Sequence, residues 1–375
     1  MELLPPRGEG RRGGGGESST VGVLAMNSGD AGELSYANNS DMQRTIAAVT
    51  RKARQEMAAT LHRARCPASA MAIADLGCAT GPNALLMAGD AVQAVLADAD
   101  RLQAPPPEFH VFLNDLPMND FNSVFRELDQ QRRQLLRPDR CRSLVSAWPG
   151  SFYGRIFPAG SLDYVVSSSS LHFLSRPPTT GTVNEGRMYV SARGPAAVLE
   201  AYRAQFQADF RLFLACRAEE VRHGGVLLLT FVARQAAEPS PHDCHIWDLL
   251  AAAVAGMAAE GLVDARKLDS FNVPFYGPCP EELTEAIREE DSFEVRRMEL
   301  FEVSRRQGEP AADREELAAQ TASTIRAVLE PMLGKHFAVD MDGLFGRFSL
   351  LLEEYYNHSG MLDQLTNVFL ALERK

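Results

Sequence analysis

The sequence predicts an α/β fold: a doubly wound parallel sheet with a helical cap over its C-terminal edge. Three observations predict it. Short apolar runs end in an acid or a serine, helical stretches alternate with them, and after Val232 consecutive helices interrupt the alternation before strands resume. The 375 residues suffice for one large core with a cap.

Residues 1–22 contain Pro5-Pro6, Arg11-Arg12 and a glycine run from Gly13 to Gly16, with no apolar h-region. They read as a disordered tail and not as a signal peptide. From residue 23 onward the chain reads as one domain, with cap insertions at roughly 172–195, 240–292 and 308–360. Ser40 is the expected N-cap of a helix from Asp41 to Arg63. A strand ends at Asp75 and a helix follows from Ala84 to Ala99. The second strand, Glu108 to Leu113, runs into Asn114-Asp115-Leu116-Pro117, and Arg132 to Arg142 reads as a basic linker. Leu162 to Ser167 is a buried strand. A long helix, Ala196 to Arg222, leads through Gly224-Gly225 into the most apolar strand, Val226 to Val232. Helices at Ile246 to Glu260 and Pro280 to Glu289 precede a strand at Phe293 to Val303. Two further helices, Arg314 to Leu333 and Met341 to Tyr356, precede the last strand, Val368 to Leu372.

A net charge of −11 argues against nucleic acid and against an anionic membrane surface as partners. No run of the sequence has the length of a transmembrane helix. The six cysteines are scattered without a CxxC pair, so neither zinc nor a disulfide framework is expected, and a reducing cytoplasm is the natural compartment.

The chemistry concentrates in Ala72-Ile73-Ala74-Asp75-Leu76-Gly77-Cys78-Ala79-Thr80-Gly81-Pro82-Asn83. An apolar strand ends in an acid, and a glycine-containing turn opens toward a helix, the arrangement that brings backbone close to a nucleotide-like ligand. Only Gly77 and Gly81 are present, short of the three spaced glycines of a pyrophosphate loop. The acid suits an ammonium or a hydroxyl better than a phosphate. S-adenosylmethionine, which carries an ammonium and a ribose but no phosphate, is therefore the expected ligand. Asp115, at the end of the second strand, is placed to accept from the ribose hydroxyls.

Further blocks occur in order. They are Met26-Asn27-Ser28-Gly29, Glu33-Leu34-Ser35-Tyr36-Ala37-Asn38-Asn39-Ser40 with Gln43, Pro149-Gly150-Ser151-Phe152-Tyr153-Gly154-Arg155, Ser170-Leu171-His172-Phe173-Leu174-Ser175 and Phe271-Asn272-Val273-Pro274-Phe275-Tyr276. With the Asp75 and Asp115 segments they resemble the plant SABATH methyltransferases, a family of carboxyl methyltransferases for salicylate, benzoate, jasmonate and indole-acetate and of caffeine-pathway N-methyltransferases. The resemblance covers about Met26 to Lys375. It implies a Rossmann-like class I methyltransferase sheet, a homodimer, and S-adenosylmethionine bound by Tyr36, Ser40, Asp75, Gly77, Asn83, Asp115, Leu116, Ser151 and Phe152. In that assignment Asp75, Asn83 and Ser40 take the methionine end, Asp115 the ribose, and Leu116, Phe152 and Ser151 the adenine.

For the acceptor, the resemblance implies that Gln43 holds a carboxylate through its amide N–H and that Ile246 and Trp247 cover it. Phe173 stands where carboxyl methyltransferases usually carry a tryptophan, so one N–H donor is lost. The neighbouring His172 is expected either to restore the donor or to supply charge. Ser169 replaces a common aromatic and widens the pocket, and Leu365 lies about where others place a phenylalanine. A wider, less polar pocket favours an extended acid (aryl-propenoic, indole-acetic or terpenoid) over salicylate. Asn184, Asp269, Phe271 and Asn272 match a magnesium site proposed in some members, although methyl transfer to a carboxylate needs no metal.

The expected activity is O-methylation of a small carboxylic acid by in-line displacement. A carboxylate is ionised at cytosolic pH, so no catalytic acid or base is required. The sequence accordingly shows no Ser-His-Asp, HExxH or P-loop pattern. Three alternatives remain at this stage: N-methylation of a xanthine-like heterocycle, a catalytically silent acid-binding homologue, and a nicotinamide-dependent oxidoreductase, which the missing third glycine disfavours.

Overall fold

A computed structural model describes residues 41–80, 83, 85–304, 314–359 and 364–375. The tail, Tyr36, Ser40, Gly81 and the blocks before Asp41 lie outside the described residues. Sixteen elements follow in order: α1 (Asp41–Arg65), β1 (Ala70–Leu76), α2 (Leu86–Leu102), β2 (Glu108–Asp115), α3 (Phe121–Leu135), β3 (Ser143–Pro149), β4 (Leu162–Ser168), α4 (Ala196–Glu220), β5 (Val221–Val232), α5 (Pro241–Ala259), α6 (Ala265–Asp269), α7 (Pro280–Glu290), β6 (Phe293–Ser304), α8 (Arg314–Phe337), α9 (Met341–Ser359) and β7 (Gln364–Arg374).

The strands form one seven-stranded sheet in the order β3-β2-β1-β4-β5-β7-β6. Its period-two alternation divides the core into two layers. On β1, Met71 and Ile73 pack with α1, α2 and α3, whereas Ala72, Ala74 and Leu76 pack with α4 and the cap helices. On β5, Val226 and Leu228 face the first layer and Leu227, Leu229 and Phe231 the second. Helix α1 presents a stripe at Ile46, Thr50, Ala53, Ala58 and Leu61, all buried, which is the spacing of one helical face.

The sheet departs from the expected parallel arrangement at its far edge. β1 to β5 are parallel, but β7 runs antiparallel to both of its neighbours, β5 and β6. The reason lies in the connection. Ser304 at the end of β6 pairs with Gln364 at the start of β7, so the α8–α9 pair leaves and returns at the same edge. A chain that returns to the edge it left must come back antiparallel. That edge also holds the ends of β1, β2 and β4, and the two helices therefore form part of a roof over it.

Three elements go beyond the sequence reading: α3, β3 and the five-residue α6. Helix α3 packs Val124 and Leu128 into the core, but its polar stretch Asp129-Gln130-Gln131-Arg132-Arg133 masks the pattern. Strand β3 is an edge strand with mostly half-buried or exposed residues, so it lacks the continuous apolar run of the central strands. Among the described residues no helix is long and apolar enough to cross a membrane.

Candidate active site

The parallel register sets the ends of β1 and β2 level, Leu76 opposite Asn114. From there the chain turns at Gly77, whose φ of +79° only glycine adopts without strain. A Cβ at this position would fall 2.2 Å from Ser170 Oγ and 3.7 Å from the Phe152 ring, so the turn is a cradle that a side chain would fill. The N–H groups of Gly77 and Cys78 both donate to the Asn114 carbonyl, at 2.9 and 3.0 Å. The Asn114 side chain in turn donates to the carbonyls of Trp148 and Gly150, at 2.7 and 2.9 Å. One asparagine thus binds the turn after β1 to the loop after β3, which carries Ser151 and Phe152.

Asp115 accepts from Ala79 N–H and Leu116 N–H, each at 2.7 Å. Burial raises its pKa, and these two backbone bonds oppose the rise. Asp75 is 4% exposed and, by alternation, faces the α1–α2 layer. Among the described residues none donates a hydrogen bond to its carboxylate. Burial, reinforced by the Asp115 charge and opposed by Arg54, pushes it up to about 8. Asn83 lies in the turn before α2, where its carbonyl accepts from Leu86 N–H at 3.1 Å. Leu116 is half-buried beside Asp115. Ser151 Oγ accepts from Tyr153 N–H at 3.3 Å, and the Phe152 ring packs edge-on to Tyr153 and Phe213.

A glycine cradle beside a buried carboxylate without a donor among the described residues, Asp75, and a half-buried one, Asp115, fits a ligand that brings an ammonium and ribose hydroxyls. The donor set suits S-adenosylmethionine and would repel a pyrophosphate.

A second cavity adjoins this cradle, with an empty volume of about 1380 Å³ including its open mouth. Gln43, Ser169, His172, Phe173, Ile246, Trp247 and Leu365 all line it. They arrive from separate elements: α1, the loop after β4, α5 and the start of β7. The first turn of α5 is fixed by a capping box between Ser240 and Asp243, with Pro241 at the helix start. This sets Ile246 and Trp247 over the pocket. Trp247, Phe275, Tyr189 and His172 form a run of ring contacts, each 4.9 to 5.7 Å between centroids.

His172 resolves one of the two expectations stated for it. Its Nδ1 accepts from Val232 N–H at 3.2 Å, so in the neutral ring the proton sits on Nε2. Burial lowers its pKa to about 3. Desolvation thus favours the neutral ring, with Nε2–H as its donor, the first of the two expectations stated for it.

Among the described residues, Arg234 is the one arginine or lysine on the wall, and it is engaged elsewhere. Its guanidinium donates to Glu282 at 2.5 Å and to the Tyr276 hydroxyl at 2.8 Å, and it also meets the Gly277 and Ala237 carbonyls. Among the described residues, no arginine or lysine on this wall is left free to meet an anion.

In the expected metal set, Asn184 Nδ2 donates to the Tyr189 carbonyl at 3.0 Å, and Gly186 N–H donates to Asp269 at 2.8 Å. The side-chain oxygens of Asn184 and Asn272 are buried without partners. Phe271 is packed against His336 and Phe337. Among the described residues no three His, Cys, Asp or Glu side chains gather as a metal site.

The sequence reading missed Asn114 as a bracket and missed Arg217 and Glu220 altogether. Both charged residues are fully buried, and they continue the α4 stripe of Phe206, Phe210 and Phe213. Charges inside an apolar stripe are the signal that was available.

The sheet and the glycine cradle define the class: a methyltransferase that uses S-adenosylmethionine. The family described as SAM dependent carboxyl methyltransferase matches residues 21–375, and the chain belongs to it. It is 39% identical over 371 residues to a probable jasmonic acid carboxyl methyltransferase 2 of Theobroma cacao, covering 94% of this chain and 98% of the relative. It is 38% identical over 360 residues to the salicylate carboxymethyltransferase of Clarkia breweri, again covering 94% and 98%. Among solved structures, a loganic acid methyltransferase with SAH superposes with a TM-score of 0.80 at 28% identity, covering 93% of this chain and 98% of that one.

Proposed function

We propose that this enzyme esterifies an extended, largely apolar monocarboxylic acid, with Gln43 and His172 orienting the carboxylate. The observation that carries the reading is the neutral donor at His172 Nε2 in a large pocket whose single guanidinium is already neutralised by Glu282. A wall on which, among the described residues, no arginine or lysine is free disfavours acceptors with a second negative charge. Its width at Ser169 and its aromatic lining favour a body larger than one benzene ring: aryl-propenoic, indole-acetic or terpenoid.

The donor supplies a sulfonium-activated methyl group. The chain's part is to place an ionised carboxylate oxygen in line with the methyl–sulfur bond and to exclude water. The oxygen–methyl bond forms as the methyl–sulfur bond breaks, and the electron pair leaves on sulfur. Because the carboxylate is ionised near neutral pH, no residue has to take a proton. Gln43 and His172 hold the oxygens, and Ile246 and Trp247 close the α5 side of the pocket. Orientation of this kind is worth roughly 7–11 kcal/mol. In the donor site Asp75 and Asn83 take the methionine end; Ser40, assigned there by resemblance, and Tyr36, assigned to the donor, lie outside the described residues. Asp115 takes the ribose, while Leu116, Ser151 and Phe152 take the adenine.

The unpartnered oxygens of Asn184 and Asn272 beside Asp269, with the backbone at Phe271, suit a hard cation held weakly by one carboxylate. No step of the transfer runs through it. The homodimeric, cytoplasmic state belongs to the same proposal, and six unpaired cysteines suit a reducing compartment.

The test is methyl transfer from labelled S-adenosylmethionine to salicylate, cinnamate, indole-acetate and jasmonate, with xanthosine and theobromine alongside. The expected result is label in an ester of one of the larger acids, lost in Gln43→Ala. Salicylate as the best substrate would overturn the size argument. Label only on the heterocycles would overturn the carboxylate reading, and no transfer despite donor binding would mark a silent homologue.

A further inference from the structure

We infer that Arg217 and Glu220 are positioning residues for the methyl donor: a buried ion pair at the end of α4 that sets the adenine-binding loop. This rests on the reading above that Ser151 and Phe152 contact adenine. Neither residue has solvent exposure, and neither touches the pocket. Their polar atoms go instead to the loop after β3. Arg217 Nη1 donates to the Phe152 carbonyl at 2.9 Å, and Nη2 donates to the Gly154 carbonyl at 2.8 Å. Glu220 Oε1 accepts from Ile156 N–H at 2.7 Å and from Phe157 N–H at 3.0 Å. The two side chains close on each other, Nε to Oε2 at 2.8 Å and Nη2 to Oε1 at 3.0 Å.

Four backbone groups within residues 152–157 are thus held by one charge pair. The guanidinium also lies over the Phe213 ring, 5.2 Å from its centroid, and that ring meets Phe152 edge-on at 5.9 Å. Both the backbone and the ring of Phe152 are therefore fixed from the same side.

Burial of a charge pair is a poor way to gain stability, since desolvation offsets most of the attraction. A planar fork with two carbonyls in reach is a good way to fix geometry. A loop held only by packing could shift by an ångström, and displacements of that size are costly in positioning a bound ligand.

The experiment measures binding of adenosine and of S-adenosylhomocysteine to the parent, Arg217→Lys, Glu220→Gln, the double variant Arg217→Met with Glu220→Leu, and Phe152→Ala, with thermal melting of each. The double variant removes both charges together, so no unpaired buried ion is left to prevent folding. The expected result is a loss of about 10-fold in affinity for both ligands by the same factor, as a displaced loop produces. At saturating donor, kcat stays within about 2-fold, because the pair is remote from the reacting atoms. Variants that melt lower yet bind adenosine as the parent does would show a purely structural pair and overturn the inference. An unchanged adenosine affinity in Phe152→Ala would instead overturn the placement of adenine on which it rests.

Discussion

The two halves of the active site are built by opposite means. The donor half consists of strand ends and their turns, bracketed by backbone bonds: Asn114 ties two loops together, Asp115 caps two N–H groups, and Gly77 leaves no room for a side chain. The acceptor half is mostly a wall of side chains from α1, the loop after β4, α5, α8, the Phe275 segment and the start of β7, with a backbone bond from Val232 to His172 setting one of them. The difference teaches how such a fold keeps its reagent and changes its substrate. A donor held by the frame of the sheet is hard to alter without disturbing the frame. An acceptor held by separate helices can change one residue at a time.

The sharpest way to break this comparison is at Asp115. Asp115→Ala removes the proposed ribose acceptor and orphans the Ala79 and Leu116 N–H groups. If the carboxylate takes both ribose hydroxyls, losing those two charge-assisted bonds costs donor binding about 3 kcal/mol or more, roughly 100-fold in Kd, while the orphaned N–H groups lower the stability of the folded protein itself. Isothermal titration with S-adenosylhomocysteine checks it. A change of only a few-fold would mean that the donor half is held by packing and that the contrast is overdrawn.

A smaller effect is expected at His172, and it should appear in the other half. His172→Phe keeps a ring among Phe173 and Phe275 but deletes the Nε2 donor and the acceptor for Val232 N–H. Loss of one bond to a carboxylate costs about 1.5–3 kcal/mol, roughly 10- to 100-fold in kcat/KM for the acid, with donor Kd unchanged. Steady-state kinetics with each substrate varied separates the two. If donor Kd moved as much as acceptor KM, the halves would not be independent.

What the sequence made legible follows the same division. In the donor half, Asp75, Gly77 and Asp115 could be read from strand-end chemistry, an acid before a glycine turn and an acid after an apolar run, whereas Asn83, Leu116, Ser151 and Phe152 were assigned by resemblance. The acceptor half could be read only by resemblance, since Gln43, Trp247 and Leu365 are brought together by the cap and share no local pattern. The neutral state of His172 was not legible at all. It depends on a backbone N–H donated from β5, 60 residues away in sequence. The antiparallel β7 escaped for a related reason: strand direction is set by the number of crossings in the α8–α9 connection, which the apolar pattern of Val368 to Leu372 does not encode.

The smallest expected effect concerns pH, and it sharpens the comparison by assigning the pH dependence to one half. Asp75, at about 8, is largely protonated near neutrality in the free protein, whereas His172, at about 3, does not titrate there. An ammonium placed beside Asp75 favours the carboxylate, so donor binding near pH 7 should release a proton. Its affinity should rise with pH until Asp75 is ionised in the free protein as well. For a group titrating at about 8 the gain between pH 7 and pH 9 is about 10-fold at most. The sign for stability is the reverse. Because the folded-state pKa is raised above the unfolded value, the unliganded protein binds the extra proton between about pH 4 and pH 8, and this group's contribution to stability falls as pH rises through that window. Donor affinity and unliganded melting temperature, each followed from pH 6 to pH 9, should therefore respond to Asp75 in opposite directions. Asp75→Asn should flatten both components while leaving acceptor KM without a pH dependence of its own. Equal slopes in parent and Asp75→Asn would place the titrating group elsewhere and remove Asp75 from the methionine end of the site.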